Sequence, residues 1–420
     1  MNNIEKTKLK YVANIFTGNS IPDNKKDSYT GKNIPYIPTK ELDVNTGNFN
    51  YENGLSVNEN DGFRIAPAGS TLMCIEGGSA GKKIGILDRS VAFVNKLCCF
   101  EGTNINNKYL YYCLQSMDFT EQFKLNMTGL IGGVSTSTLK NLFISCPRNL
   151  NTQLKIVEYL DKKINLIDAL IKNQNEQIEN LKSYKQSLIF ESVTKGINKN
   201  IRLKDSCSEW IGNIPEHWNI SMLSSYFSHH KEKNVGTKNT NLLSLSYGNI
   251  IRKNINTRDG LLPENFDTYN IIYPGNIVLR LTDLQNDHKS LRVGFSYEQG
   301  IITSAYVTIK LKNTINVSKY FYYVIHSFDI KKGFYGMGSG VRQGLNFDGI
   351  KKLVLPIPPV KEQKEIVKFL DIKCDQIERL IRIKQSKIEE LLDYKKSLIY
   401  ECITGKKELI NWGWTYGWFN

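Results

Sequence analysis

The segment Glu76-Gly-Gly-Ser-Ala-Gly-Lys-Lys83 comes nearest to a catalytic motif in this 420-residue chain. It resembles a phosphate loop, whose backbone amides cradle phosphates. Counted from Gly77 it is one residue short between the glycines, and Lys83 stands where a Ser or Thr must hold the magnesium. No G-x-G-x-x-G opens a helix after a strand. Ile357-Pro-Pro-Val360 lacks both the Asn and the aromatic of an amino-methyltransferase motif, and neither H-E-x-x-H nor a nuclease-like carboxylate–Lys cluster is present. The eight cysteines form no C-x-x-C, and the adjacent Cys98 and Cys99 suit neither a bridge nor a zinc knuckle. Buried, reduced thiols are expected. The five histidines make no metal signature. The expectation is a chain with no catalytic residue and no metal site.

Binding chemistry is better represented. The net charge is +14 and the pI near 9.2, which favours a polyanionic partner. Basic residues lie among aromatics and amides in expected loops: Lys25, Lys26, Lys32, Lys40, Lys82 and Lys83 in the first half, and Arg252, Lys253, Arg258, Arg280, Lys289 and Arg292 in the second. These are candidates for phosphate contact. Two Gly-rich segments, Thr128–Ser135 and Gly336–Gln343, could bring backbone close to a ligand. In the second, Arg342 and Gln343 have the side chains that read base edges bidentately.

What must hold these loops is a duplicated unit. Gln153–Gly196 aligns without a gap on Gln363–Lys406 at an offset of 210: Leu160-Asp161 on Leu370-Asp371, Tyr184-Lys185 on Tyr394-Lys395, and Ser187-Leu-Ile189 on Ser397-Leu-Ile399. Upstream, Tyr109–Ser116 resembles Tyr320–Ser327, and Leu139–Leu142 resembles Ile350–Leu353. Each unit is then a globular part of about 150 residues followed by a helix. The globular parts read as mixed α/β, with strand-like runs at Ser70–Ile75, Val91–Val94, Ile271–Leu281 and Ile301–Leu311. Pro-Ala-Gly at 67–69 and Pro-Gly at 274–275 look like equivalent turns.

The helices show a heptad seam. Leu160, Ile164, Ile167, Ile171, Ile178, Leu181 and Leu188 repeat at alternating steps of four and three, matched by Leu370, Cys374, Ile377, Ile381, Ile388, Leu391 and Leu398. Polar residues interrupt the seam at Gln174 and Lys185, and at Lys384 and Lys395. Such residues fix register. In an antiparallel pair Gln174 and Lys384, both near mid-helix, could face each other. Residues 153–195 carry seven Lys/Arg and six Asp/Glu, and residues 363–405 nine and eight. The helices are therefore near neutral, and the basic surplus lies in the globular parts.

Trp210-Ile-Gly-Asn-Ile-Pro-Glu-His-Trp218, which opens the second globular part, and Pro358-Pro-Val-Lys-Glu-Gln-Lys-Glu-Ile-Val-Lys-Phe-Leu370, which opens the second helix, closely resemble the specificity subunit of Type I restriction–modification systems. The resemblance covers essentially the whole chain. It implies two target-recognition domains, each reading one half of a bipartite site in double-stranded DNA, with an antiparallel helical pair setting the gap. It also implies that two adenine-methyltransferase subunits dock along the helices and that restriction subunits can join. S-adenosylmethionine, ATP and magnesium would belong to those partners, with no cofactor in this chain. The first copy departs from the pattern. It begins its helix with Asn151-Thr-Gln153 where the second has Glu362-Gln363, and it lacks the Trp-Ile-Gly-x-Ile-Pro opening. The chain ends instead in Trp412-Gly-Trp-Thr-Tyr-Gly-Trp418, which is expected to pack on the first half as a circular completion of the repeat.

The expected fold is α+β: two α/β target-recognition domains separated by two long helices that form an antiparallel coiled coil, in a pseudo-twofold tandem repeat. The expected divisions are recognition domain 1 (1–148), helix 1 (149–198), recognition domain 2 (199–357), helix 2 (358–406) and an aromatic tail (407–420). The apolar runs are too short for a membrane span and the N-terminus has no signal pattern, so a cytoplasmic protein is expected. The competing readings are a coiled-coil scaffold with domains that do not bind DNA, and part of a fused restriction–modification enzyme.

Overall fold

Leu150–Lys195 and Val360–Thr404 each form one unbroken helix, of 46 and 45 residues. Neither contains Pro or Gly, so nothing interrupts the backbone ladder over about 70 Å. Each stops at a glycine in the left-handed region, Gly196 and Gly405, with φ of 77° and 73°. In the last turn of each, a threonine hydroxyl donates back to a carbonyl: Thr194 to Phe190 and Thr404 to Tyr400, both at 2.7 Å.

The computed structural model describes residues 4–129, 131–255, 266–284, 291–337 and 344–407. They fall into two compact units, Met1–Gln174 with Gln385–Asn420, and Asn175–Lys384. The boundary lies inside both long helices. Each unit therefore owns a globular part, the beginning of one helix and the end of the other. Among the described residues no helix is long and apolar enough to cross a membrane.

In the first unit a four-stranded antiparallel sheet runs in the order 13–17, 97–102, 71–74, 84–86. A second sheet has the order 56–57, 34–37, 91–93, 65–66, its 34–37 and 91–93 strands being parallel. Strand 4–8 pairs with 143–147 and delivers the chain to the helix. Leu9, Phe100, Tyr109 and Leu110 are buried with Ile156, Leu160 and Ile164 of the first helix and Leu398, Ile399 and Ile403 of the second. The helix segments run antiparallel: Asp168 meets Lys395 at 2.7 Å, while Tyr159, earlier in the first helix, meets Lys407, later in the chain.

The second unit repeats the plan. Its four-stranded antiparallel sheet has the order 227–230, 307–311, 277–279, 293–295, and strand 219–222 pairs with 354–357. The core combines Trp218, Phe227, Leu279 and Phe321 with Ile366, Leu370 and Cys374 of the second helix and Ile189 and Val193 of the first. Lys185 meets Glu378 at 2.6 Å, and Lys384 donates to Gln177, which again makes the segments antiparallel.

The seam residues are placed as their spacing requires. Leu160, Ile164, Ile167, Ile178, Leu370, Ile377 and Leu398 are buried. Ile171, Leu181, Leu188, Ile381, Ile388 and Leu391 are half-buried. Seven of the eight cysteines are buried and Cys207 is exposed. Burial raises the buried thiols well above the ordinary range, which leaves them unreactive.

Candidate nucleic-acid interface

Each unit fastens its globular part to the long helices with the same set of polar contacts. In the first unit Gln153, at the start of the helix, accepts the Asn106 amide at 2.8 Å and donates to the Pro147 carbonyl at 2.8 Å. Asp161, two turns on, receives the Tyr112 hydroxyl at 2.5 Å and the Lys108 ammonium at 2.6 Å. In the second unit Gln363 accepts from Val317 at 3.0 Å and donates to Pro358 at 3.0 Å. Asp371 receives Tyr323 at 2.6 Å and Lys319 at 2.8 Å. The Tyr109 hydroxyl reaches the Ser145 and Ile403 carbonyls, and the Tyr320 hydroxyl reaches those of Pro356 and Val193. Gln153 and Gln363 are almost fully buried, so each joint is a satisfied polar network that fixes one geometry. Sequence reading passed over these residues as functional positions. The signal available for them was their identity in both copies at polar positions, where packing alone asks for apolar side chains.

Beyond the joint, each unit brings the stems of two loops together. In the first, the Val134 amide donates to Ile75 at 3.0 Å and the Gly77 amide to Gly132 at 2.8 Å, so the Gly-rich segment lies against Glu76–Lys83. The resemblance of that loop to a phosphate cradle ends here. The Ala80, Gly81 and Lys82 amides donate to the carbonyls of Gly77, Cys74 and Ser79 and are not free for an anion. The outer face is open. A Cβ on Gly77, Gly78 or Gly129 would meet nothing within 4 Å, and Ile131 is 70% exposed. The second unit pairs the equivalent stems, the Leu345 amide donating to Leu281 at 2.8 Å.

The candidate DNA-contacting cations separate into three groups. Lys25 and Lys253 are exposed, and among the described residues neither ammonium has an ion-pair partner. Lys26, Lys40 and Lys82 are exposed, with local contacts to Asp23 at 2.6 Å, Glu41 at 3.5 Å and the Gly78 carbonyl at 3.1 Å. The others are engaged in the fold. Lys32 bonds Asp61 at 2.7 Å and lies 4.5 Å over the Tyr29 ring. Lys83 donates to the Thr39 carbonyl at 2.9 Å. Arg252 is chelated by Glu298 at 2.6–2.9 Å, and Arg280 is half-buried.

Arg292 corrects the expectation outright. It is fully buried, and its guanidinium donates to the carbonyls of Arg280, Thr282 and Asp283 and to the Tyr335 hydroxyl. A cation enclosed in this way cannot touch phosphate. Arg258, Lys289, Arg342, Gln343 and the aromatic tail from residue 408 onward lie outside the described residues.

A sequence profile of the Type I restriction modification DNA specificity domain matches residues 1–180 and 292–392, more than half of the chain and a part of each unit. This chain belongs to the Type I restriction–modification specificity family. Solved structures of similar fold include a chain described under the structural basis of complex assembly and conformational transition of the type I R-M system. It is 12% identical, with a TM-score of 0.70 over 96% of this chain and 98% of that one. The HsdS subunit from Thermoanaerobacter tengcongensis is 13% identical, with a TM-score of 0.49 over 96% and 97% of the two chains.

As a DNA specificity subunit of a restriction–modification system, the chain must present sequence-reading surface on a rigid frame. The duplicated joints hold each globular part on its helix segments, and the open loop pair of the first unit and the exposed lysines are the candidates for DNA contact.

Proposed function

We propose that each unit of this specificity subunit reads one half of a bipartite site in double-stranded DNA, that the antiparallel helices set the gap between the halves, and that the chain itself catalyses nothing. The observation that carries this reading is the duplicated joint: Gln153 with Asp161, and Gln363 with Asp371, fix two globular parts to the helices with the same contacts, while the loops those parts carry have diverged. The same attachment with different loops suits two readers of different half-sites.

Chemistry is assigned to partners working on cytoplasmic DNA. Two adenine-methyltransferase copies dock along the helices, bringing S-adenosylmethionine, and restriction subunits can join with ATP and magnesium. Repeated exposed side chains support two equivalent docking places. Leu170 and Tyr394 are exposed in the first unit, and their counterparts Leu380 and Tyr184 in the second. None of the four is needed by the helix seam, and exposed apolar residues kept in both copies suit a partner surface.

The test is methylation mapping of DNA from cells that express the chain with its methyltransferase partner. One split motif with a fixed gap is expected. Methylation at a single contiguous motif, or at no defined sequence, would refute the reading. Substituting loop residues of the first unit should change one half of the motif and leave the other intact.

A further inference from the structure

Arg292 opens a question that DNA contact does not answer: why a guanidinium is enclosed inside a recognition unit. Burying a cation is costly unless its donors are all met. Here Nη1 donates to the carbonyls of Arg280 at 3.1 Å and Thr282 at 2.7 Å, Nη2 to that of Asp283 at 3.1 Å, and Nε to the Tyr335 hydroxyl at 3.2 Å. The guanidinium carbon lies 5.1 Å from the centre of the Tyr335 ring. The Arg292 backbone N–H is held separately by Asp329 Oδ2 at 2.5 Å.

These contacts join two stretches distant in sequence. Arg280–Leu284 leaves the central sheet, and Asp283 sits at φ 56°, a conformation unfavourable for a residue with a side chain. Tyr335 lies in the turn Gly333–Gly336, where the Gly-rich segment begins. The first unit shows what the arrangement replaces. Strand 84–86 pairs with 71–74 as 293–295 pairs with 277–279, so Lys83 stands where Arg292 does and Gly77 where Asp283 does. Gly77 takes φ 87° without a Cβ penalty, and the short loop there closes on its own amides. Lys83 turns away to the Thr39 carbonyl. The second unit has more residues between the two strands and no glycine at the kink, and there the Arg292 side chain ties Arg280–Asp283 to Tyr335.

We propose that Arg292 is a positioning residue for base recognition by the second unit: its buried guanidinium locks the stem Arg280–Asp283 to the turn at Tyr335, so that these two stretches hold one geometry when the unit meets DNA. The proposal rests on the reading of each unit as a half-site reader. Lysine cannot replace the group, because one ammonium cannot span three carbonyls and a hydroxyl in the fixed fork of a guanidinium.

The experiment is methylation mapping with the full chain and its methyltransferase partner, for wild type, Arg292→Met, Arg292→Lys and Tyr335→Phe. Arg292→Met keeps the backbone bond to Asp329 and the bulk of the side chain. In the motif half read by the second unit, discrimination against wrong bases should fall about tenfold, while the other half stays sharp. Arg292→Lys should behave alike, and Tyr335→Phe should show the same pattern more weakly. A split motif that stays sharp in both halves in Arg292→Met overturns the positioning role. Parallel loss of both halves in Arg292→Met and Tyr335→Phe also overturns it, because that marks a residue needed only for folding. A wild type that directs no split motif overturns the half-site reading itself, a different and earlier result.

Discussion

The indole N–H of Trp218 donates to Oε2 of Glu362 at 2.9 Å. The other oxygen of the carboxylate lies 2.7 Å from Nε2 of His217. The Trp-Ile-Gly-Asn-Ile-Pro-Glu-His-Trp segment and the Glu-Gln start of the second helix are thus two sides of one contact. In the first copy Thr152 stands where the second has Glu362.

Glu362→Thr should therefore destabilise the second unit by about 1–3 kcal/mol, the cost of leaving a buried indole N–H unmet. The reciprocal Thr152→Glu should give the first unit no gain. Thermal unfolding of both variants checks this, and equal melting of Glu362→Thr and wild type would contradict it.

His326 is buried, stacks on Tyr322 at 5.4 Å, and its Nδ1 has no hydrogen-bond partner among the described residues. Burial, helped by the charge of Lys185, pushes its pKa down to about 4. A base with a depressed folded pKa contributes stability above its unfolded value near 6.5, and that stability is lost as pH falls toward 4. Gln115 holds the equivalent position in the first unit. His326→Gln should flatten the acid limb of the stability profile between pH 6.5 and 4, where wild type loses up to roughly 3 kcal/mol. Denaturant unfolding across that range is the measurement.

Asp329 works in the opposite sense. Burial raises its carboxyl to about 6, and its Oδ1 has no hydrogen-bond partner among the described residues. A raised acid favours the protonated fold, so its contribution is fully present below the unfolded pKa near 4 and is lost as pH rises through 6. Asp329→Asn should therefore remove a destabilisation seen at neutral pH and steepen the net acid loss caused by His326. A variant profile parallel to wild type would show that the carboxyl is ionised throughout.

Salt dependence should sort the cations. Lys25→Ala and Lys253→Ala each remove an exposed charge that has no ion-pair partner among the described residues, and should lower the slope of log affinity against log salt by about 0.9 if that charge meets phosphate. Lys32→Ala and Arg252→Ala should leave the slope nearly unchanged, since Asp61 and Glu298 already hold those charges. Titrations of the complex on its target at several salt concentrations distinguish the two pairs.

The ion pairs Lys185–Glu378 and Lys395–Asp168 occupy matching seam positions in the two units and are partly exposed. Breaking either with Lys→Met should cost under about 1 kcal/mol. The expected loss is in helix register, read as slippage in disulfide trapping between cysteines placed across the pair.

The tandem repeat, the heptad seam and the near-neutral helices were legible in the chain because each depends on residue type at fixed spacing. Ile164, Ile167 and Ile178 must turn to one side of any helix they form. The identity of Gln153 with Gln363 and of Asp161 with Asp371 was legible too, but not its purpose, since their partners Asn106, Tyr112, Val317 and Tyr323 come from elements 46 to 49 residues away. Arg292 marks the limit most clearly. In sequence it is one more cation in a basic loop. Its burial was decided by where the fold places three carbonyls and Tyr335, 43 residues away. Local spacing fixes which face a side chain takes. Only tertiary structure decides whether that face meets water, phosphate or the protein's own backbone, because burial and hydrogen bonding are set by distant residues brought together.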